Sequence, residues 1–216
     1  MNLSARKTIQ SLYLLIAAIV VGYGTYLGLT QEGYLDLASL KYFTNQSNLL
    51  MALGYLFMIA LLFKRSSAKD AVADYVSTTI LLAISVTGIV YNLVLVPFAG
   101  NEIFFSDYIN FSTHFLSSIL ALGYYFFLQE KGRLSFKHVF VAMAYPILYW
   151  LVFVIFGSAI NFYPYFFMNP VETGWPMVFV WFVILLAVFV VLGALFVAYD
   201  KWQGSKTTDS TPAGPQ

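Results

Sequence analysis

Residues Gly174–Tyr199 read GWPMVFVWFVILLAVFVVLGALFVAY, a run of 26 positions without a charged side chain. A helix needs about 20 mainly apolar residues to cross the hydrocarbon core of a bilayer. Five further stretches meet this requirement, namely Lys7–Leu29, Asn45–Phe63, Ala71–Pro97, Tyr108–Leu128 and Phe136–Gly157. The sequence therefore predicts an all-α fold, a polytopic membrane bundle of six transmembrane helices within residues 1–203.

The composition excludes several other classes of protein. Of the 216 residues, 60% are hydrophobic and 10% are charged, whereas about 25% of an average soluble domain is charged. A net charge of +1 provides no basic field for nucleic acid, so no nucleic-acid partner is expected. The absence of cysteine excludes disulfides, iron–sulfur clusters and thiolate zinc sites. We expect neither a metal nor a cofactor.

The basic residues predict how the bundle lies in the membrane. Lys41 falls on one side of the six predicted helices. The other ten basic residues fall on the opposite side: Arg6, Lys7, Lys64, Arg65, Lys69, Lys131, Arg133, Lys137, Lys201 and Lys206. Because short cytoplasmic loops are enriched in Lys and Arg, both termini are predicted to be cytoplasmic in a multi-pass protein of the cell membrane. Residues 204–216, rich in Ser, Thr, Pro and Gly, are predicted to form a disordered cytoplasmic tail.

Five consecutive polar residues, Thr44-Asn45-Gln46-Ser47-Asn48, open the otherwise apolar second helix. Thr44, Ser47 and Asn48 share one helical face at the i, i+3, i+4 spacing. One interpretation is a helix N-cap at Thr44 or Asn45. An N-cap needs a single residue, so the other polar side chains would either hold helices together or form the wall of a site.

Three further polar groups are predicted in the same half of the membrane. His114 is the only histidine within a predicted span, where it can bond to a neighbouring helix or act as a neutral general base. Tyr91-Asn92 ends the third helix. The segment Asn161–Tyr165, NFYPY, follows the fifth helix and is typical of an interfacial aromatic belt with a proline turn.

The order of these motifs resembles the androgen-induced/FAR-17a family of six-helix membrane proteins. The resemblance rests on Lys41-Tyr42-Phe43-Thr44 at the start of helix 2, on His114 in helix 4, and on Gly157 followed by Tyr163-Pro164-Tyr165-Phe166. The run from Tyr42 to Asn48 is most similar to the bacterial branch of that family. Nearly the whole chain is covered, including the number of helices.

This resemblance implies an intramembrane hydrolase that acts on fatty acid esters of hydroxy fatty acids, with Thr44 and His114 as the functional residues. Thr44 would be the nucleophile and His114 the base that activates it. The expected partner is a membrane lipid or another acyl ester, and the oligomeric state is left open. Residues expected to orient the histidine, stabilise an oxyanion or bind substrate are Gln46, Ser47, Asn48, Asn92, Tyr163 and Tyr165.

Two alternatives remain open at this point. In a non-enzymatic lipid-binding or scaffold protein, the polar cluster would only hold helices together. A small-molecule transporter is less supported, because no charged residue is predicted deep within a helix and the two halves show no internal repeat.

Overall fold

The computed structural model describes residues 3–30, 34–64, 68–99 and 107–209. Six long helices dominate these residues, and the described part of the chain has no strand. We number the helices α1 (Leu3–Leu29), α2 (Phe43–Phe63), α3 (Lys69–Leu95), α4 (Tyr108–Leu128), α5 (Phe136–Ile160) and α6 (Trp175–Asp209). All six are long and apolar enough to cross a membrane. The predicted all-α bundle of six membrane-spanning helices is therefore confirmed.

The central helix is α3, which packs against α2, α4, α5 and α6. In its most apolar window 61% of α3 is buried inside the bundle, against 17% of α6. Large apolar side chains cover the outer surface, including Phe127 at 85% exposed and Phe179 at 66% exposed. Such a surface is unfavourable in water and fits hydrocarbon, which has no hydrogen bonds to lose when it contacts an apolar side chain.

The two ends of the bundle differ in character. At one end, Arg6 of α1 lies 3.1 Å from Glu130 after α4, and the Gly132 amide donates to the Asp200 carbonyl of α6 at 3.1 Å. We call this the basic end, because it holds the described residues of the predicted basic side. The opposite end, the loop end, is formed by a 3₁₀ turn at Leu37–Lys41 and by residues 161–174.

Two carboxylates are buried within helices at the basic end, which differs from the expectation that no charge lies deep in a helix. Asp74 of α3 is 7% exposed and pairs with Arg133 at 2.8 Å. Asp200 of α6 is fully buried and accepts a hydrogen bond from the Leu134 amide at 2.8 Å. Each buried carboxylate thus has a donor from the α4–α5 loop for one of its oxygens, whereas the Asp200 Oδ1 is buried without a hydrogen-bond partner among the described residues.

Helix α6 continues to Asp209, past residue 204 at which the predicted tail begins. The reason is a close approach between two glycines. A Cβ atom on Gly204 would lie 2.5 Å from the Cα of Gly132, which has a φ of 85° in the α4–α5 loop. The loop backbone packs directly on α6 at this point and supports its last turns. Residues 210–216, the rest of the predicted tail, lie outside the described residues.

Replacement of Arg133 by glutamine should destabilise the fold, because Asp74 would keep a buried charge without its partner. We expect a loss of about 2 kcal/mol, between the values for exposed and for fully buried ion pairs. The measurement is the thermal unfolding of purified protein in detergent. Lys137→Gln removes one positive charge from an exposed position nearby and should leave the midpoint unchanged. Equal midpoints for both variants would contradict a stabilising role for the Arg133–Asp74 pair.

Candidate functional site

The polar start of α2 does not serve as a side-chain N-cap. The N-cap residue is Tyr42, whose side chain makes no capping bond. The first amide of the helix, Phe43, instead donates to the Tyr149 hydroxyl at 3.1 Å, and that hydroxyl donates to the Lys41 carbonyl at 2.8 Å. Because α5 supplies the cap, the Thr44 side chain is available for another partner.

That partner is His114 of α4. The Thr44 Oγ1 lies 3.3 Å from the His114 Nε2, although the two residues are 70 positions apart in the chain. His114 is 8% exposed, and its ring stacks on Tyr91 of α3 with a centroid distance of 3.5 Å and an interplanar angle of 17°. The imidazole is therefore fixed by one helix and faces the hydroxyl of another.

The contacts of the second ring nitrogen determine the tautomer. His114 Nδ1 lies 3.2 Å from the Asn110 carbonyl oxygen, which can only accept. It also lies 3.2 Å from the Thr113 hydroxyl, whose own proton is donated to the Ile109 carbonyl at 2.7 Å. Nδ1 therefore carries the proton, and the Nε2 lone pair faces Thr44. Asn110 and Thr113 orient the ring, in place of the Asn48 and Asn92 side chains expected from the sequence.

Two π-helical turns place the rings of His114 and Tyr91. Phe111–Leu116 in α4 is π-helical and contains His114, and Tyr91–Leu95 in α3 is π-helical and begins at Tyr91. At their ends the Ser117 amide donates to the Ser112 carbonyl, and the Val96 amide donates to the Tyr91 carbonyl. A π turn inserts one extra residue, so it changes which side chains face a neighbouring helix, and such turns are frequent at functional sites.

Ser47 and Asn48 connect helices and do not line a cavity. Both are fully buried. The Asn48 amide nitrogen donates to the Thr44 carbonyl and to the Thr113 carbonyl, each at 2.8 Å. The Ser47 hydroxyl lies 3.1 Å from that of Thr87 in α3. Asn48 thus holds the backbone beside Thr44 against the backbone beside His114, a positioning role and not contact with substrate.

Of the other predicted site residues, Gln46, Asn92 and Tyr163 have partners outside the Thr44–His114 pair. Gln46 is engaged with the Tyr145 hydroxyl at 3.2 Å and with the Leu40 carbonyl at 2.7 Å. Asn92 donates to the Gly88 carbonyl of its own helix, and the Tyr163 ring packs over Gly157. Of the two loop tyrosines, only Tyr165 reaches the site.

Thr44 lies at the polar edge of an apolar cavity of about 70 Å³ between α3, α5 and α6. The polar side chains of its lining are those of Thr44, Thr87, Tyr149 and Tyr165. Its apolar lining includes Val86, Val90, Leu95, Met143, Pro146, Ile147, Trp150, Phe182, Leu185, Leu186 and Phe189. Thr44 belongs to the lining and His114 does not, so Thr44 connects the cavity to the imidazole.

Tyr165 closes the cavity from the loop end. Burial raises the pKa of its phenol, and hydrogen bonding with the side chain and backbone of Thr44 opposes that rise. The ring stacks on Phe167 with a centroid distance of 5.2 Å and an interplanar angle of 10°. The phenol is therefore protonated at neutral pH and close to the Thr44 hydroxyl.

Sequence reasoning missed Asn110 and Thr113, which orient the ring, and Tyr149, whose hydroxyl accepts from the first amide of α2. Tyr149 lies four residues after Tyr145, one turn along the same face of α5, and this spacing of two polar aromatic residues was the available signal. Pro146, which lies inside α5, also lines the cavity.

The comparisons with known proteins found no matching protein-family model, no matching curated protein and no matching solved structure. The resemblance to the androgen-induced/FAR-17a family stays a prediction from the motifs. Among the described residues, no group of three His, Cys, Asp or Glu side chains is placed to hold a metal ion.

Replacement of Asn48 by alanine should destabilise the bundle by about 2 kcal/mol, because the buried Thr113 carbonyl loses the donor that joins α4 to α2. The measurement is the midpoint of thermal unfolding in detergent. The matched control is Asn92→Ala, since Asn92 is half-buried and bonds only within α3. If both variants unfold at the same temperature, Asn48 does not connect the two helices as described.

Proposed function

We propose that this chain is an integral membrane hydrolase of lipid acyl esters, with Thr44 as nucleophile and His114 as general base. One observation carries the proposal: the Thr44 hydroxyl lies 3.3 Å from an unprotonated imidazole nitrogen, and Thr44 also lines an apolar cavity. A nucleophile requires a base within hydrogen-bond reach, and an acyl ester requires an apolar site beside the nucleophile. The resemblance stated from the motifs implies the same pair of residues.

The first half of the reaction forms an acyl-enzyme. As the Thr44 oxygen attacks the acyl carbonyl carbon, His114 Nε2 takes the hydroxyl proton, and a tetrahedral intermediate forms. The imidazolium then donates that proton to the leaving alkoxide, which departs as an alcohol and leaves the acyl group on Thr44. Water then attacks the acyl carbonyl of the acyl-enzyme while His114 takes a proton from the water. The imidazolium returns that proton to the Thr44 oxygen, and the fatty acid is released.

Neutral groups, and not a carboxylate, stabilise the positive charge of the imidazolium formed in this reaction. The Asn110 carbonyl and the Thr113 oxygen both accept from Nδ1. The face of the Tyr91 ring lies 3.5 Å from the imidazole, where it stabilises a cation by its quadrupole. A permanently charged acid would be costly at this depth in a membrane, so neutral groups suit the position.

Tyr165 supports the developing oxyanion. Its phenol lies beside Thr44 and, with its pKa raised by burial, is a hydrogen-bond donor at neutral pH. The amides at the start of α2 add the positive end of a helix dipole. Tyr165 and this helix terminus replace Gln46 and Ser47, whose side chains are engaged elsewhere. By the positive-inside rule, the site would face the outer leaflet.

The alternative function is a non-enzymatic lipid-binding protein, and the bonds made by Ser47 and Asn48 favour it. Those bonds explain two of the five polar residues by helix association alone. They do not explain a threonine that both contacts a histidine and lines a cavity. The two functions differ in whether the purified protein cleaves esters.

Thr44→Val and His114→Ala should each lower hydrolysis of a fluorogenic acyl ester by about 10³-fold, because one removes the nucleophile and the other its base. Thr44→Val keeps the shape of the side chain, and Thr44→Ser should retain activity. The measurement is turnover by purified protein with a confirmed thermal transition.

The matched controls are Thr79→Ala in α3 and His138→Ala at the start of α5, which should keep wild-type turnover. Labelling by a covalent serine/threonine-hydrolase probe should disappear in Thr44→Val alone among the threonine variants. Wild-type turnover in Thr44→Val would rule out Thr44 as nucleophile. No turnover by the wild-type protein over a panel of acyl esters would favour the lipid-binding alternative.

Leu186→Trp should fill the apolar cavity and reduce cleavage of long-chain esters more than cleavage of acetate esters. The physical reason is steric, since the larger side chain occupies space beside α3 that an acyl chain would take. The measurement is kcat/KM against acyl chain length. Leu195→Trp places the same change on the lipid-facing surface, where Leu195 is 60% exposed, and should leave the profile unchanged. Identical profiles for both variants would show that the acyl chain binds elsewhere.

A further inference from the structure

A second cavity lies at the basic end, at the opposite end of the bundle from Thr44. It has a volume of about 260 Å³ and is formed by the first turns of α1 and α3 and the last turns of α2 and α4. The α4–α5 loop contributes Glu130. The acyl ester reaction proposed above uses none of these residues.

The lining of this cavity is divided into an apolar and a cationic part. The apolar part includes Leu3, Met58, Leu61 and Leu62. The cationic part consists of Arg6, Lys7 and Lys69, each half-buried. A cavity that joins apolar side chains to three cations at the end of membrane-spanning helices has the chemistry of a phospholipid: a phosphate group beside the start of acyl chains.

The two acids in the lining pair with arginines and not with Lys7 or Lys69. Glu130 lies 2.7 Å from Arg133, and Asp70 lies 4.0 Å from the same guanidinium. Glu130 is also 3.1 Å from Arg6. Among the described residues, neither Lys7 nor Lys69 has an acid within 4.0 Å. The two lysines therefore remain as cations for an external anion.

We propose that this cavity binds the phosphate of an anionic phospholipid, with Lys7 and Lys69 as its main ligands and Arg6 beside them. The lipid would come from the leaflet at the basic end, the cytoplasmic leaflet by the positive-inside rule, which carries anionic lipids. Its phosphate would bridge the start of α1 and the start of α3, and its acyl chains would leave along the apolar side chains of α2. This lipid is a bound partner and not the ester substrate.

The test compares phosphatidylglycerol with phosphatidylcholine on the full-length protein. Bound lipid is counted by native mass spectrometry after titration of each lipid into the detergent-solubilised protein. The wild-type protein should retain phosphatidylglycerol in preference to phosphatidylcholine. Lys7→Gln/Lys69→Gln should weaken phosphatidylglycerol binding by about 30-fold, at roughly fivefold for each lysine near an anionic headgroup.

Two double variants serve as controls. Lys64→Gln/Lys201→Gln removes the same charge from exposed positions at the same end and should bind as the wild type does. Lys7→Arg/Lys69→Arg keeps both cations and should retain binding, which separates loss of charge from loss of fold. Equal weakening in the two glutamine variants, or equal binding of both lipids by the wild type, would overturn the proposal.

Inorganic phosphate distinguishes the source of the anion. A lipid site should keep phosphatidylglycerol in the presence of millimolar phosphate, because the apolar contacts of the acyl chains add to the affinity. Displacement of the lipid by millimolar phosphate would show a site for free phosphate and would overturn the assignment to a lipid. Ester turnover should be the same in Lys7→Gln/Lys69→Gln as in the wild type. The lipid-binding experiment can therefore fail without affecting the proposal for Thr44, and the turnover experiment can fail without affecting the proposal for the lipid.

Discussion

Hydrocarbon offers no hydrogen bonds, and this constraint explains most of the polar contacts in the bundle. A polar group within a span is stabilised by a protein partner, and the Ser47 hydroxyl and the Asn48 amide nitrogen find theirs on α3 and α4. The first amide of α2 follows the same rule with the Tyr149 hydroxyl. Because these bonds join different helices, they also fix how α2 lies against its neighbours.

The same constraint explains why the candidate site is built from neutral groups. His114 is held by a backbone carbonyl, a hydroxyl and a ring face, none of which carries a charge. Charge is instead concentrated at the basic end, where the buried carboxylate of Asp74 is paired with Arg133. The bundle thus separates a candidate site built from neutral groups from an end that is stabilised by ion pairs.

Departures from regular helical geometry occur at contacts between distant segments, at both ends of the bundle. Two π-helical turns bring the Tyr91 and His114 rings face to face. In an unbroken α-helix the side chains after each turn would be shifted by one residue relative to the neighbouring helix. At the other end, Gly132 and Gly204 allow the α4–α5 loop to touch α6 through their backbones. In both cases a local feature of one segment matters because of a partner far away in the chain.

The sequence by itself determined the six helices, because the apolar length that spans a bilayer is a property of each segment alone. It also selected Thr44, His114 and Tyr165, since polar residues stand out against an apolar background. Only the tertiary structure decided that Thr44 and His114 lie 3.3 Å apart, that Asn110 and Thr113 orient the imidazole, and that Gln46 and Asn92 bond elsewhere. Those contacts depend on which helices are neighbours and on how π turns rotate them, and neither is encoded within a single segment.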